Sequence, residues 1–218
     1  MSIETSTQSA LNVLLGKSLV VDGVLGGESK KAIQELTTKL GGIMQRKGYS
    51  PVLSRTLVGI RMDDTYTNKF TDYGILFSGE TCLIFPMSTK AGFSYVKNKQ
   101  YIDGVKGCAC LVEGQYKGIW QYRSDGWSGD PYLMQVKPVN IYRDADMDDT
   151  ITHGQIFTGL YGINFHSWKG FLANMVQNLS AGCQVMQEDY LMALMPYLKE
   201  MSAQGNIDYT LIHHKDFA

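Results

Sequence analysis

Gly162-Ile-Asn-Phe-His166-Ser167-Trp168, and further on Asn178-Leu-Ser180-Ala-Gly182-Cys183-Gln184-Val185, set one histidine and one cysteine seventeen positions apart. The first stretch is apolar and opens on a glycine, so it reads as the end of a buried strand that would hold an imidazole on a rigid element. The second is a run of small residues leading into a thiol. A cysteine attacks a carbonyl only as thiolate, and a free thiol with a pKa of about 8.5 is mostly protonated at neutral pH unless a base or a positive dipole assists it. His166 is placed to be that base for Cys183. A glycine just before the nucleophile lets the backbone turn sharply and aim its N–H groups at a developing oxyanion. The plainer reading stays open beside this one, because cysteines are more often small buried apolar residues than nucleophiles.

The pair of stretches resembles the signature of the L,D-transpeptidase (YkuD-like) catalytic domain. In that family a cysteine takes an acyl group from a peptidoglycan stem peptide and a histidine is its base. The resemblance carries catalytic roles to Cys183 and His166 and substrate or oxyanion roles to Ser167, Ser180 and Gly182; Trp168 and Gln184, close in sequence to the two catalytic residues, are added as candidate substrate contacts. Ser167 would orient His166 or the substrate, and Gln184 would hydrogen-bond the peptide. Where the family usually has Arg or Asn two positions after the cysteine, this chain has Val185. Upstream, Met87-Ser-Thr-Lys-Ala-Gly-Phe-Ser-Tyr95 is similar to the Thr-Pro-x-Gly-x-Phe segment of the same family, with Lys90 at the proline position. The run from Leu57 to His213 also resembles proteins of tailed bacteriophages. Val58-Gly-Ile-Arg61, Asn68-Lys-Phe-Thr-Asp72, Gly114-Gln-Tyr, Tyr142-Arg-Asp144, Gly162 to His166, Ser180 to Val185 and Tyr209-Thr-Leu carry that likeness.

Working towards the amino terminus, Leu11, Leu14 and Leu15 recur at helical spacing and stop at Gly16. Glu28 to Leu40 places Ile33, Leu36 and Leu40 on one face and is expected to end at Gly41-Gly42. Two short helices around Val21-Asp22-Gly23-Val24-x-Gly26 resemble a small peptidoglycan-binding domain, and a generic helical hairpin is the alternative. So small a unit is marginal alone and should pack on the remainder of the chain. The expected division is a helical domain over 1–44 and a catalytic domain over 45–218.

Beyond Val52 the texture turns to strands, with Thr56–Arg61, Tyr73–Phe77, Thr81–Pro86, Cys108–Trp120 and Leu133–Tyr142 as short apolar runs punctuated by Gly, Asp and Asn. Asp63 to Asp72 is a polar turn whose acids do not match a calcium-loop spacing. Arg143 to Asp149 reads as a solvated acidic loop. Trp127 and Tyr132, in an aromatic and glycine-rich loop, are candidate sugar contacts, although a half-buried place at the loop base suits them equally. After Cys183, Leu191, Leu194, Met195, Leu198 and Met201 form one helical stripe in which Pro196 should kink or break the helix. Asn206 to His213 closes as a strand. The expected fold class is α+β: a mainly β L,D-transpeptidase-like catalytic domain, a curved mixed sheet or sandwich with one or two helices, plus the small helical domain.

Composition narrows the function classes. A formal net charge of −1 without a basic run argues against nucleic acid as a partner. No apolar run reaches the roughly 18 residues of a membrane span, and Met1 to Gln8 lacks the basic and apolar regions of a secretory signal. Cys82, Cys108, Cys110 and Cys183 are expected to be reduced and to bind no metal, and Cys108 and Cys110 should point to one face of a strand. No cofactor is called for. The resemblances together imply a phage-type endolysin that cleaves peptidoglycan stem peptides as a monomer. It would wait in the host cytoplasm until a holin pore releases it to the wall. The alternatives are an inert wall-binding or virion structural protein on the same fold, and a true L,D-transpeptidase.

Overall fold

β-branched and aromatic runs bounded by glycine, aspartate and asparagine favour strands because their side chains pack well on a pleated, half-buried surface. The computed structural model, which describes residues 2–98, 107–126, 129–168 and 174–218, turns them into eleven named strands among those residues. They are β1 (Arg55–Arg61), β2 (Asp72–Ser78), β3 (Thr81–Met87), β4 (Cys108–Leu111), β5 (Gly114–Arg123), β6 (Tyr132–Gln135), β7 (Val139–Asp144), β8 (Phe157–Gly159), β9 (Phe165–His166), β10 (Gln184–Val185) and β11 (Ile207–His213). The helices are α1 (Ile3–Leu15), α2 (Gly27–Arg46), the one-turn α3 (Phe93–Val96) and α4 (Glu188–Ala203), and His214–Phe217 forms a final 3-10 turn. The architecture is α+β and mostly mixed sheet.

Eight strands form one sheet in the order β10-β9-β6-β5-β11-β1-β2-β3, in which β1 with β11 and β9 with β10 run parallel. Its two edges come together. Ser88, just past β3, donates its N–H to Val185 O at 2.8 Å and accepts from Val185 N at 3.0 Å. The sheet is therefore nearly closed and barrel-like, as a twisted sheet of about eight strands can be, and β10 lies on the seam. A second sheet, β4-β7-β8, turns Ala109, Leu111 and Ile141 toward the same core.

The two faces of the large sheet bury different sets of residues, following the two-residue period of a strand. One face carries Leu57, Trp120, Phe165, Tyr209 and Leu211, packed with Leu191, Leu194, Leu198 and Met201 of α4. The other carries Val58, Ile60, Ile75, Ile84 and Ile212, covered by Leu11 and Leu14 of α1 and by Leu36, Leu40 and Ile43 of α2. The amino-terminal helices thus share a hydrophobic cluster with the sheet.

Two local expectations are corrected, and the one at Pro196, a kink or a break, loses its second alternative. α2 continues through Gly41-Gly42 to Arg46, because Ile43 and Met44 are fully buried. Burying each stabilises by about 1.5–3 kcal/mol, more than the roughly 1 kcal/mol a helical glycine costs. α4 is not broken at Pro196. Pro196 and Met192 are both exposed, so the Met192 carbonyl that lacks an N–H partner faces the solvent side, where water can satisfy it. Arg143 and Asp144 are not in a solvated loop but end β7, with Asp144 buried.

Candidate active site

In the parallel pair β9 and β10, Phe165 lies beside Gln184 and His166 beside Val185. Gln184 N donates to Asn164 O at 2.8 Å and Met186 N donates to His166 O, so the register continues one residue back and sets Asn164 beside Cys183. Side chains two apart on a strand share a face. Cys183 and His166 therefore lie on one face, as diagonal neighbours across adjacent strands. Cys183 and His166 keep partial access to solvent, whereas Val185, on the same face, is buried with Val176 and Leu179 in a small apolar cluster against which Cys183 packs.

The imidazole is fixed by its own chain. His166 Nδ1 lies 2.9 Å from Ser167 O, and since a carbonyl can only accept, Nδ1 carries the proton and Nε2 the free lone pair. Burial holds His166 below the ordinary imidazole range, against the raising effect of that hydrogen bond. It is therefore neutral at pH 7, as a base must be. Cys183 is a thiol in this state. Its Sγ donates to Gly162 O at 3.1 Å, and burial pushes its pKa up to about 11. No hydrogen bond joins Cys183 to His166 among the described residues.

The turn before the cysteine is braced from within and from below. Ser180 Oγ accepts from Gly182 N at 3.0 Å and donates to Cys183 O at 2.9 Å. Gly182 has φ +141°, and a Cβ there would collide with Ala109 O and sit 2.9 Å from Ala109 Cβ. Only glycine lets this turn lie against β4, where Ala109 N donates to Ala181 O at 3.0 Å. The Gly182 N–H is thus engaged by Ser180. The Cys183 N–H makes no backbone hydrogen bond among the described residues.

The remaining predicted residues divide. Trp168, about half exposed, stands next to the histidine on the surface. Ser167 is buried, and its Oγ is without a hydrogen-bond partner among the described residues. Gln184 points into the core, where Tyr209 Oη donates to its Oε1 at 2.7 Å. Tyr132 is half-buried in β6 opposite Arg123, and Trp127 lies outside the described residues. Among the described residues no group of three His, Cys, Asp or Glu is arranged to hold a metal ion, and no helix is long and apolar enough to cross a membrane. Cys108 and Cys110 sit in one buried cluster with Tyr66, and all four cysteines are free.

Several supports of the site carry no motif. Gln135 Oε1 accepts from Tyr161 N at 3.1 Å and Ile163 N at 2.7 Å, and Trp120 Nε1 donates to Ile163 O at 2.8 Å. These bonds set the loop that presents Gly162 O to the thiol. Behind β10, the seam segment is held by a buried ionic group. Asp72 accepts from Thr89 N and Oγ1, both at 2.8 Å, and lies 3.4 Å from the buried Lys90 Nζ. Arg61, fully buried, donates to Thr89 Oγ1 at 3.1 Å and pairs with Glu113. Gly92 N then donates to Ser180 O at 2.9 Å, tying this segment to the cysteine turn. Nothing local in the sequence announced this arrangement, because its charges come from segments far apart in the chain.

No family model and no curated protein matches the chain.

Proposed function

We propose that the chain is a peptidoglycan hydrolase of the phage-endolysin type on an L,D-transpeptidase-like fold. In this reading Cys183 attacks a stem-peptide carbonyl. His166 Nε2 takes the thiol proton, a thioester acyl-enzyme forms as the amine leaves with that proton, and water then releases the acyl group. The observation that carries the reading is the placement of Cys183, just before β10, and His166 of β9 on one face with partial access to solvent, the histidine held in the tautomer that leaves Nε2 unprotonated. In this reading the tetrahedral oxyanion is held by backbone N–H donors at the cysteine turn. The resting thiol, protonated and bonded to Gly162 O, must turn from that carbonyl toward Nε2 when substrate arrives. Water as the acyl acceptor gives a hydrolase; an amine in its place gives a transpeptidase.

The second reading is an inert wall-binding or virion structural protein, and the same thiol favours it. A sulfur bonded to a carbonyl and pushed to a pKa of about 11 is the state of an unreactive cysteine. Digestion of purified peptidoglycan by the wild type and by Cys183→Ala, with soluble products identified by mass, separates the readings. Trimmed or separated stem peptides from the wild type alone are expected. Cross-linked products point to the transpeptidase, and sacculus binding without any product points to the inert protein.

A further inference from the structure

We propose that Arg143, presented over Tyr161 beside the Cys183 turn, is an anion subsite that binds a free carboxylate of the peptide substrate. The substrate class rests on the cysteine-hydrolase reading, and the place of the subsite rests on geometry. Arg143 pairs with Ala109 across β7 and β4, and directly opposed residues of antiparallel strands project to the same side. That is the side whose Ala109 touches Gly182, one residue from Cys183. The guanidinium carbon lies 5.1 Å from the centroid of the Tyr161 ring, and NH1 donates to Gly107 O at 3.3 Å. Tyr161 is itself one residue from Gly162, whose carbonyl holds the thiol. Ala109 under the cysteine turn and Tyr161 next to the thiol's acceptor are thus both neighbours of this arginine.

Among the described residues Arg143 makes no ion pair, although it is half-buried. The adjacent Asp144 cannot serve, because it alternates to the opposite face, where its Oδ2 accepts from Tyr66 Oη at 2.7 Å and from Thr152 N at 3.2 Å. A partly desolvated guanidinium set over a ring, with one N–H engaged and no other hydrogen bond among the described residues, suits a carboxylate bound through two parallel N–H···O bonds. Val185, turned into a small apolar cluster with Val176 and Leu179, supplies no such group from its own strand.

The test uses binding, so that it does not depend on turnover. Cys183→Ala in the full-length chain is titrated calorimetrically with a stem tetrapeptide bearing free carboxylates and with the same peptide amidated. The expected result is a 10- to 100-fold weaker Kd for the amidated peptide, about the range of a charged hydrogen bond. That ratio should fall to near one in Cys183→Ala/Arg143→Gln and be partly kept in Cys183→Ala/Arg143→Lys. Equal affinity for the two peptides, a ratio that survives Arg143→Gln, or no binding of either peptide overturns the subsite. Turnover by the wild type is read separately. Arg143-dependent binding without turnover keeps the subsite and removes the hydrolase, whereas turnover with Arg143-independent binding does the reverse. A circular-dichroism melt of each variant identifies unfolding, and Arg143→Lys, which keeps the charge and stem, still reads the subsite if Arg143→Gln fails to fold.

Discussion

At the scale of single residues the site is a neutral thiol beside a neutral imidazole, and this sets its pH dependence. Burial lowers the His166 pKa, so the base is lost only as pH falls through a value below the usual 6.5 or so. Burial raises the Cys183 pKa to about 11, so no second ionisation intrudes near neutrality. The proposed hydrolase should show one acid limb in kcat/KM, with its midpoint below about pH 6.5, and a plateau to about pH 10. A pH-rate profile on a soluble stem peptide measures this. A midpoint above pH 7, or an alkaline limb near pH 8 to 9, would mean that a thiolate and imidazolium pair does the work instead. His166→Gln should lower the rate by about 100- to 10,000-fold, the range for losing a positioned base.

At the scale of elements, the decisive piece is the turn that delivers Cys183 to β10. Its geometry is imposed by β4 beneath it and by the seam segment beside it, through Gly92 N to Ser180 O and the Ser88 and Val185 exchange. Gly182→Ala forces a Cβ into Ala109 and an L side chain to φ +141°. The backbone conformation alone costs about 1–3 kcal/mol, and relief of the collision must move the turn and the sulfur with it. The expected outcome is a lowered melting temperature with the circular-dichroism spectrum retained, and turnover reduced far below the wild type. Wild-type turnover from this variant would show that the turn tolerates displacement and does not set the position of the nucleophile.

At the scale of the molecule, the seam of the near-closed sheet gathers the candidate chemistry, while α1 and α2 cover the opposite face. Removing residues 1–46 exposes Val58, Ile60, Ile75, Ile84 and Ile212 on contiguous strands, a patch of the kind that drives aggregation. The truncated chain is expected to be insoluble or to melt much lower, measured by size-exclusion chromatography and thermal denaturation; a soluble monomer with unchanged melting would show that the sheet needs no cover. Much of this organisation was legible in the residues. Leu11 and Leu14, and Ile33, Leu36 and Leu40, announce helices because helical periodicity is local, and the runs at Thr56–Arg61 and Tyr73–Phe77 announce strands for the same reason. The spacing of His166 from Cys183 marked the two side chains that the fold places on one face. By contrast, nothing local shows that Gly41-Gly42 stays helical, since that rests on the burial of Ile43 and Met44 against distant strands. The same holds for Gln184, which the sequence offers as a substrate contact and the fold turns to Tyr209, for the charges of Asp72 and Lys90, and for Arg143 set over the ring of Tyr161. Amino-acid sequence by itself determined the period and chemistry of each element. Tertiary structure decided which face each side chain took and which charges met, because burial and pairing are properties of contacts between segments far apart in the chain.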